Sequence, residues 1–272
     1  MITLDQHIDE LTTKYTQRIT RFTVQLYEYN EDHKKYKTPY LSIASGVLIS
    51  HDERYFIITA GHVISDHNKG NIGILEINTF YRLINEGQNI FYIDPDKSSK
   101  YENFDITIWE LDSSTTSILN KYYDFLTPEN VVLEDEYPLL RNYLIIGFPS
   151  TMTKFNFFKS RLRPKVYKFL TRTVDESIYK LLKLDSKINF VVQFNQRKVR
   201  KMGSGIIRRS VKLEGISGCG IWYIPDPISN VEVSNNFYLV SIVFKHDINK
   251  KYIISLKTKV IINILREKFH LY

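Results

Sequence analysis

Gly215-Ile216-Ser217-Gly218-Cys219-Gly220-Ile221-Trp222 places one serine between glycines and then runs into an apolar, strand-like segment. Glycine lacks a Cβ, so it lets the backbone turn tightly and lets a second molecule approach main-chain N–H groups. Ser217 is therefore the candidate nucleophile of an acyl-transfer site. Gly-x-Ser-Gly also describes many ordinary turns, so this reading requires a base and an orienting acid elsewhere in the chain.

The surrounding chain has 272 residues, 43% hydrophobic and 25% charged, an ordinary globular composition long enough for one large domain or two small ones. Tyrosine (19) and phenylalanine (16) outnumber glycine (11), and many segments are rich in Ile, Val, Phe, Tyr and Thr, which favours strands. Cys219 is the single cysteine, which excludes an intramolecular disulfide framework and a multi-cysteine zinc site and fits a reducing compartment. The start, Met1–His7, lacks a basic segment followed by an apolar one, and no later run approaches the length of a membrane span. The expectation is a soluble, cytoplasmic protein with no membrane partner.

Upstream of the serine the pattern is dominated by short strands. Leu4, Ile8, Leu11 and Tyr15 recur at helical spacing, predicting an amphipathic helix over 1–17 that reads as an accessory cap. Arg21–Tyr29 alternates as a half-buried strand, and Leu41–Ile49 with Tyr55–Thr59 reads as a hairpin that empties into Ala60-Gly61-His62. Further strands are expected at 72–77, 89–93, 107–111 and 131–133. The acidic stretch between Pro128 and Pro138 reads as a linker, which divides the chain into a first lobe, 18–133, and a second, 134–272.

In the second lobe, strands are expected at 143–146, 188–194, 206–211, 221–224, 237–244 and 252–256. Val166, Phe169, Leu170, Val174, Ile178, Leu181 and Leu182, with Pro164 in a first-turn position, predict a helix over about 164–184. Thr258 is the expected cap of a last helix over about 258–268.

Three blocks stand in the order His62, Asp105, Ser217. Thr59-Ala60-Gly61-His62 at a strand end resembles the Thr-Ala-Ala-His block of chymotrypsin-like (trypsin-fold) serine proteases. Asp105-Ile106-Thr107-Ile108-Trp109 resembles their aspartate followed by alternating apolar residues, and Gly215-Ile216-Ser217-Gly218 their Gly-x-Ser-Gly. Ser45-Gly46-Val47-Leu48-Ile49 ahead of the histidine adds to the likeness, which covers most of 20–266.

The resemblance implies a mainly β fold of two antiparallel β-barrels, here with an N-terminal helix, a helical insertion in the second barrel and a C-terminal helix. It implies a serine endopeptidase that needs no cofactor and no metal and acts on a peptide or protein. Ser217 would attack the carbonyl, His62 would accept and return the proton, and Asp105 would fix the imidazole tautomer. The backbone N–H groups of Gly215 and Ser217 would form the oxyanion hole. Asp94, Asp96 and Asp112 are the competing carboxylates, and Cys219, two residues beyond the expected nucleophile, reads as a structural thiol.

The same likeness places Val211, Phe244, Lys245 and His246 around the substrate pocket, where the family has an acidic base or small residues, so the expected pocket is shallow, reshaped or blocked. A glycine-poor chain with a helical insertion resembles the trypsin-like peptidase domains of intracellular bacterial proteins, defence-associated ones included.

Net charge is +7, yet between Lys159 and Lys212 there are 16 Lys/Arg against 3 Asp/Glu. Within it, residues 197–212 carry Arg197, Lys198, Arg200, Lys201, Arg208, Arg209 and Lys212 with no acid between them. They read as a solvated hairpin or, alternatively, as the contact of a catalytically weak or inactive binding module with nucleic acid or an acidic partner.

Overall fold

The computed structural model describes residues 3–30, 39–67, 71–76, 79–83, 89–93, 104–131, 142–156, 161–200, 207–224 and 237–271. The first sheet is built from β1 (Thr23–Tyr29), β2 (Tyr40–His51), β3 (Arg54–Thr59), β4 (Ile72–Glu76), β5 (Thr79–Arg82), β6 (Ile90–Ile93) and β7 (Ile106–Glu110). All its pairings are antiparallel, in the order β5-β4-β1-β2-β3-β7-β6. The β2–β3 hairpin turns through Asp52 and Glu53, both at positive φ, as a tight two-residue hairpin turn requires.

The second sheet uses β8 (Tyr143–Gly147), β11 (Tyr167–Thr171), β12 (Asn189–Gln193), β15 (Gly220–Tyr223), β16 (Tyr238–Asp247) and β17 (Tyr252–Lys257), in the order β11-β8-β15-β16-β17-β12. Two small ladders, β9 (Lys154–Asn156) with β10 (Arg161–Arg163) and β13 (Val199–Arg200) with β14 (Ile207–Arg208), stand apart from it. The edges of this sheet meet: Thr173 bridges Val192, and Thr171 Oγ1 donates to the Gln193 carbonyl at 2.8 Å. The expected pair of antiparallel β-lobes is thus present.

Side chains sort by the two-residue period of a pleated strand. Tyr143, Ile145, Phe190, Val192, Cys219, Ile221, Val240 and Ile253 form the interior of the second sheet. Their alternates, among them Leu144, Ile146, Val191, Trp222, Leu239 and Leu256, join the larger cluster that also holds Val24, Leu48, Ile58 and Trp109 of the first. The two sheets therefore share a core, and truncating a fully buried Trp109 or Trp222 to Ala costs about 3–5 kcal/mol.

β1 departs from the expected half-buried strand. Thr23 and Gln25 are buried as well as Val24 and Leu26. The Gln25 amide is accommodated because it donates to Thr153 Oγ1 at 2.6 Å and to Ser42, and accepts from the Tyr27 hydroxyl at 2.7 Å.

The helices are α1 (Leu4–Ile19), α2 (His62–Ser65), α3 (Ser113–Leu119), α4 (Glu176–Leu182) and α5 (Thr258–Phe269). α1 starts in a capping box between Thr3 and Gln6 and buries Tyr15 and Ile19 in the shared core. Lys168 of β11 donates to Asp9 at 2.8 Å and to Thr13 at 2.6 Å, so a helix that leads through the 3-10 turn Thr20–Phe22 into β1 of the first sheet is tied to the second.

The helix expected over 164–184 is corrected. Its first half is strand β11, paired along its length with β8, and α4 begins only after Asp175, whose side chain caps it. Tyr167 and Phe169 turn to the second sheet's interior while Val166 and Leu170 meet the shared core, a two-residue alternation that can be mistaken for helical spacing. Thr258 is not the cap of α5. Lys257 holds that position, and the Thr258 hydroxyl donates to the Val240 carbonyl at 2.9 Å, fastening the helix to β16.

The strand expected at 131–133 is a single parallel bridge from Val131 to Leu239, with 132 and 133 outside the described residues, and 206–211 supplies only Ile207–Arg208. No helix among the described residues is long and apolar enough to cross a membrane.

Candidate active site

The register between β3 and β7 brings the first two predicted residues together. Thr59 pairs with Thr107 in an antiparallel ladder, so the chain leaving β3 lies beside the chain entering β7. His62 follows Thr59 by three residues and Asp105 precedes Thr107 by two. Asp105 is 5% exposed and holds the histidine twice: Oδ2 is 2.7 Å from His62 Nδ1, and Oδ1 accepts the His62 backbone N–H at 2.9 Å. A carboxylate on Nδ1 keeps the proton there and leaves Nε2 as the basic nitrogen of the neutral ring. The ring is one-third exposed.

Gly61 stands where the Thr-Ala-Ala-His block that this stretch resembles has alanine, and the space around it is crowded. A Cβ there would stand 2.1 Å from the Ile93 carbonyl and 2.9 Å from Asp105 Oδ1. Asp112 is excluded as the orienting acid because its Oδ1 caps α3 through the Thr115 N–H at 2.7 Å. Asp94 and Asp96 lie outside the described residues.

The serine loop reaches the same corner from the second sheet. Gly218 lies so close to the end of β3 that a Cβ would be 2.0 Å from the Ser45 carbonyl and 2.1 Å from Thr59 Oγ1, and its φ is +84°. Only glycine fits both constraints. Ser217 is half-buried, and its neighbour is packed against the strand that delivers His62.

Four consecutive carbonyls of this loop are held. Glu214 accepts from the Ser150 N–H at 2.7 Å and the Ser150 hydroxyl at 3.0 Å, and Gly215 from the Ser45 hydroxyl at 3.2 Å. Ile216 accepts from the Cys219 N–H at 3.0 Å, and Ser217 from the Ser45 N–H at 2.8 Å. The N–H groups of Ile216, Gly218 and Cys219 donate to Leu213, Val243 and Ile216 respectively. Those of Gly215 and Ser217 have no acceptor among the described residues. The two donors expected of an oxyanion hole are thus among the loop N–H groups that have no acceptor among the described residues.

Cys219 is fully buried, and burial pushes its thiol well above the ordinary range, which suits a structural thiol and not a nucleophile. The four expected pocket residues do not share one wall. Val211 packs half-buried on the second sheet's interior, Phe244 is buried in the shared core, and Lys245 is exposed. His246 stacks edge-on against Phe194 with ring centroids 5.1 Å apart; burial lowers its pKa, and its buried Nε2 has no hydrogen-bond partner among the described residues. Phe244 marks a bulge: Val243 pairs with Ser255 and Lys245 with Ile254, leaving it without an opposite residue.

Of the basic stretch, Arg197, Lys198, Arg209 and Lys212 are exposed, while 201–206 lie outside the described residues. Ser45, Thr59 and Ser150 are the site-building residues that motif reading missed; Ser45 and Thr59 lay inside quoted motifs, but Ser150 carried no local signal.

No protein-family model matches the chain, and no curated protein matches it. Among solved structures, it is similar to the scabies mite inactivated protease paralogue S-D1, with 14% sequence identity, a TM-score of 0.52 and 94% of each chain covered. The chain has the chymotrypsin-like fold. His62 and Asp105 are paired where β3 and β7 lie side by side, and the Ser217 loop packs through Gly218 against Thr59, three residues before His62.

Proposed function

We propose that the chain is a serine endopeptidase that works through an acyl-enzyme on Ser217. The observation that carries this reading is the pair of N–H groups at Gly215 and Ser217, without an acceptor among the described residues, on a loop seated against the strand that leads to the His62–Asp105 pair. Ser217 Oγ attacks the scissile carbonyl, and His62 Nε2 takes its proton and returns it to the leaving amine. Asp105 holds the imidazole and stabilises the imidazolium, and the two N–H groups receive the oxyanion, a contribution of roughly 2.7–4 kcal/mol per donor. This chemistry needs no cofactor. The substrate class is a peptide or protein.

Labelling with a fluorophosphonate probe tests the reading. The native chain should form an adduct that Ser217→Ala abolishes; a folded native chain that forms no Ser217-dependent adduct overturns it.

A second reading is a catalytically silent binding module. Two observations favour it: the similar mite protein is itself described as an inactivated paralogue, and Arg197, Lys198, Arg209 and Lys212 present exposed positive charge. Salt-dependent binding to DNA or RNA, weakening steeply as salt rises, supports this reading, whereas negligible binding at low salt removes it.

A further inference from the structure

We propose that the hydroxyls of Ser150 and Ser45 are positioning groups for the oxyanion donors, Ser150 aiming the Gly215 N–H directly and Ser45 fixing the peptide between the two donor peptides. The inference deepens the endopeptidase reading and rests on it. A trans peptide is planar, so its N–H points away from its C=O, and whatever grips the carbonyl aims the N–H. The Gly215 N–H belongs to the peptide whose carbonyl is Glu214, which receives both the N–H and the hydroxyl of Ser150. The Ser217 N–H belongs to the peptide whose carbonyl is Ile216, fixed by the Cys219 N–H.

The peptide between them, Gly215–Ile216, is gripped by Ser45 Oγ at its carbonyl and by Leu213 at its N–H. Ser45 is fully buried, and its hydroxyl accepts the Phe148 N–H at 2.9 Å, which directs its own proton to the Gly215 carbonyl. Glycine at φ +84° tolerates either sign of φ, so its own sterics do not hold these peptides in one orientation. Two hydroxyls, one from β2 of the first sheet and one from the turn after β8 of the second, join backbone groups of Ser150, Leu213 and Cys219 in making the choice.

A donor aimed only at the oxyanion affects the chemical step and leaves probe binding alone. With a fluorophosphonate probe, Ser45→Ala and Ser150→Ala should each lower the maximal inactivation rate about tenfold, short of the 10²–10³ expected for losing a whole donor. The half-saturating probe concentration should stay unchanged, and Ser150→Thr, which keeps the hydroxyl, should restore the rate. Ser150→Ala removes one of two bonds at a half-buried turn, so it keeps the test open if Ser45→Ala unfolds the chain.

Folded alanine variants that reach the native maximal rate overturn the positioning role and leave the endopeptidase reading standing. A native chain with no Ser217-dependent inactivation overturns both.

Discussion

The two halves of the candidate site are held by different physics. The His62 ring and backbone N–H are both taken by one buried carboxylate, whereas the Ser217 loop depends on neutral hydrogen bonds spread over Ser45, Ser150, Leu213, Cys219 and Val243. A charge-assisted contact concentrates its effect in one side chain, while a neutral network spreads it and fails first by steric intrusion. The first half should therefore break at one atom, and the second at one Cβ.

Asp105→Asn gives the largest expected effect. The substituted amide can no longer hold the proton on Nδ1, so the labelling rate at Ser217 should fall on the order of 10⁴-fold with the fold intact. A fall below tenfold would show that the loop alone sets reactivity and would erase the contrast.

Gly218→Ala is the corresponding break on the serine side. Its Cβ would stand 2.0 Å from the Ser45 carbonyl and 2.1 Å from Thr59 Oγ1, far inside van der Waals contact, at a φ that side chains avoid. Overpacking and backbone strain together should cost about 3 kcal/mol or more of unfolding free energy, read by denaturant titration, with labelling lost. Gly61→Ala tests whether the acid–base half shares this sensitivity, since its Cβ would stand 2.1 Å from the Ile93 carbonyl.

Much of this arrangement was legible in the sequence where local chemistry and tertiary structure agree. The hairpin of β2 and β3, the strand that leads to His62 and the one that starts after Asp105, and the glycines around Ser217 all carry their reason in a few adjacent residues. Tyr167–Thr171 was misread because a strand that meets a core on each side loses its polar face, and the remaining apolar positions mimic a helix. α3, from Ser113 to Leu119, was missed because its sequence is nearly all Ser and Thr, poor helix formers that here follow the Asp112 cap. Ser150 was invisible for another reason: its partner, Glu214, is 64 residues away.

Thr59→Val sharpens the comparison at a smaller scale. The Thr59 hydroxyl donates to the Ser45 carbonyl at 2.7 Å, joining the strand that carries His62 to the residue that grips the serine loop. The isosteric valine removes only that bond, so the expected cost is about 1 kcal/mol of stability. Labelling should fall by less than in Ser45→Ala.

The smallest effect distinguishes the lobes by pH. In the second lobe, burial holds the His246 pKa below its ordinary 6.5, outweighing the pull of Asp247 in the other direction. The unfolded chain then takes up its proton first as pH drops below 6.5, so stability falls with falling pH in that window. In the first lobe, hydrogen bonds from Arg54 hold Glu110 below its ordinary 4.5. Its contribution is intact above 4.5 and is lost only as pH falls through the lower folded value. Partial exposure of the Arg54–Glu110 pair screens it, so each group should contribute less than about 1 kcal/mol. Urea titrations from pH 7 to 4 should show His246→Phe flattening the slope just below pH 6.5 while leaving the loss below 4.5 in place. If the early slope survives in that variant, the acid sensitivity belongs elsewhere than the Phe194–His246 contact.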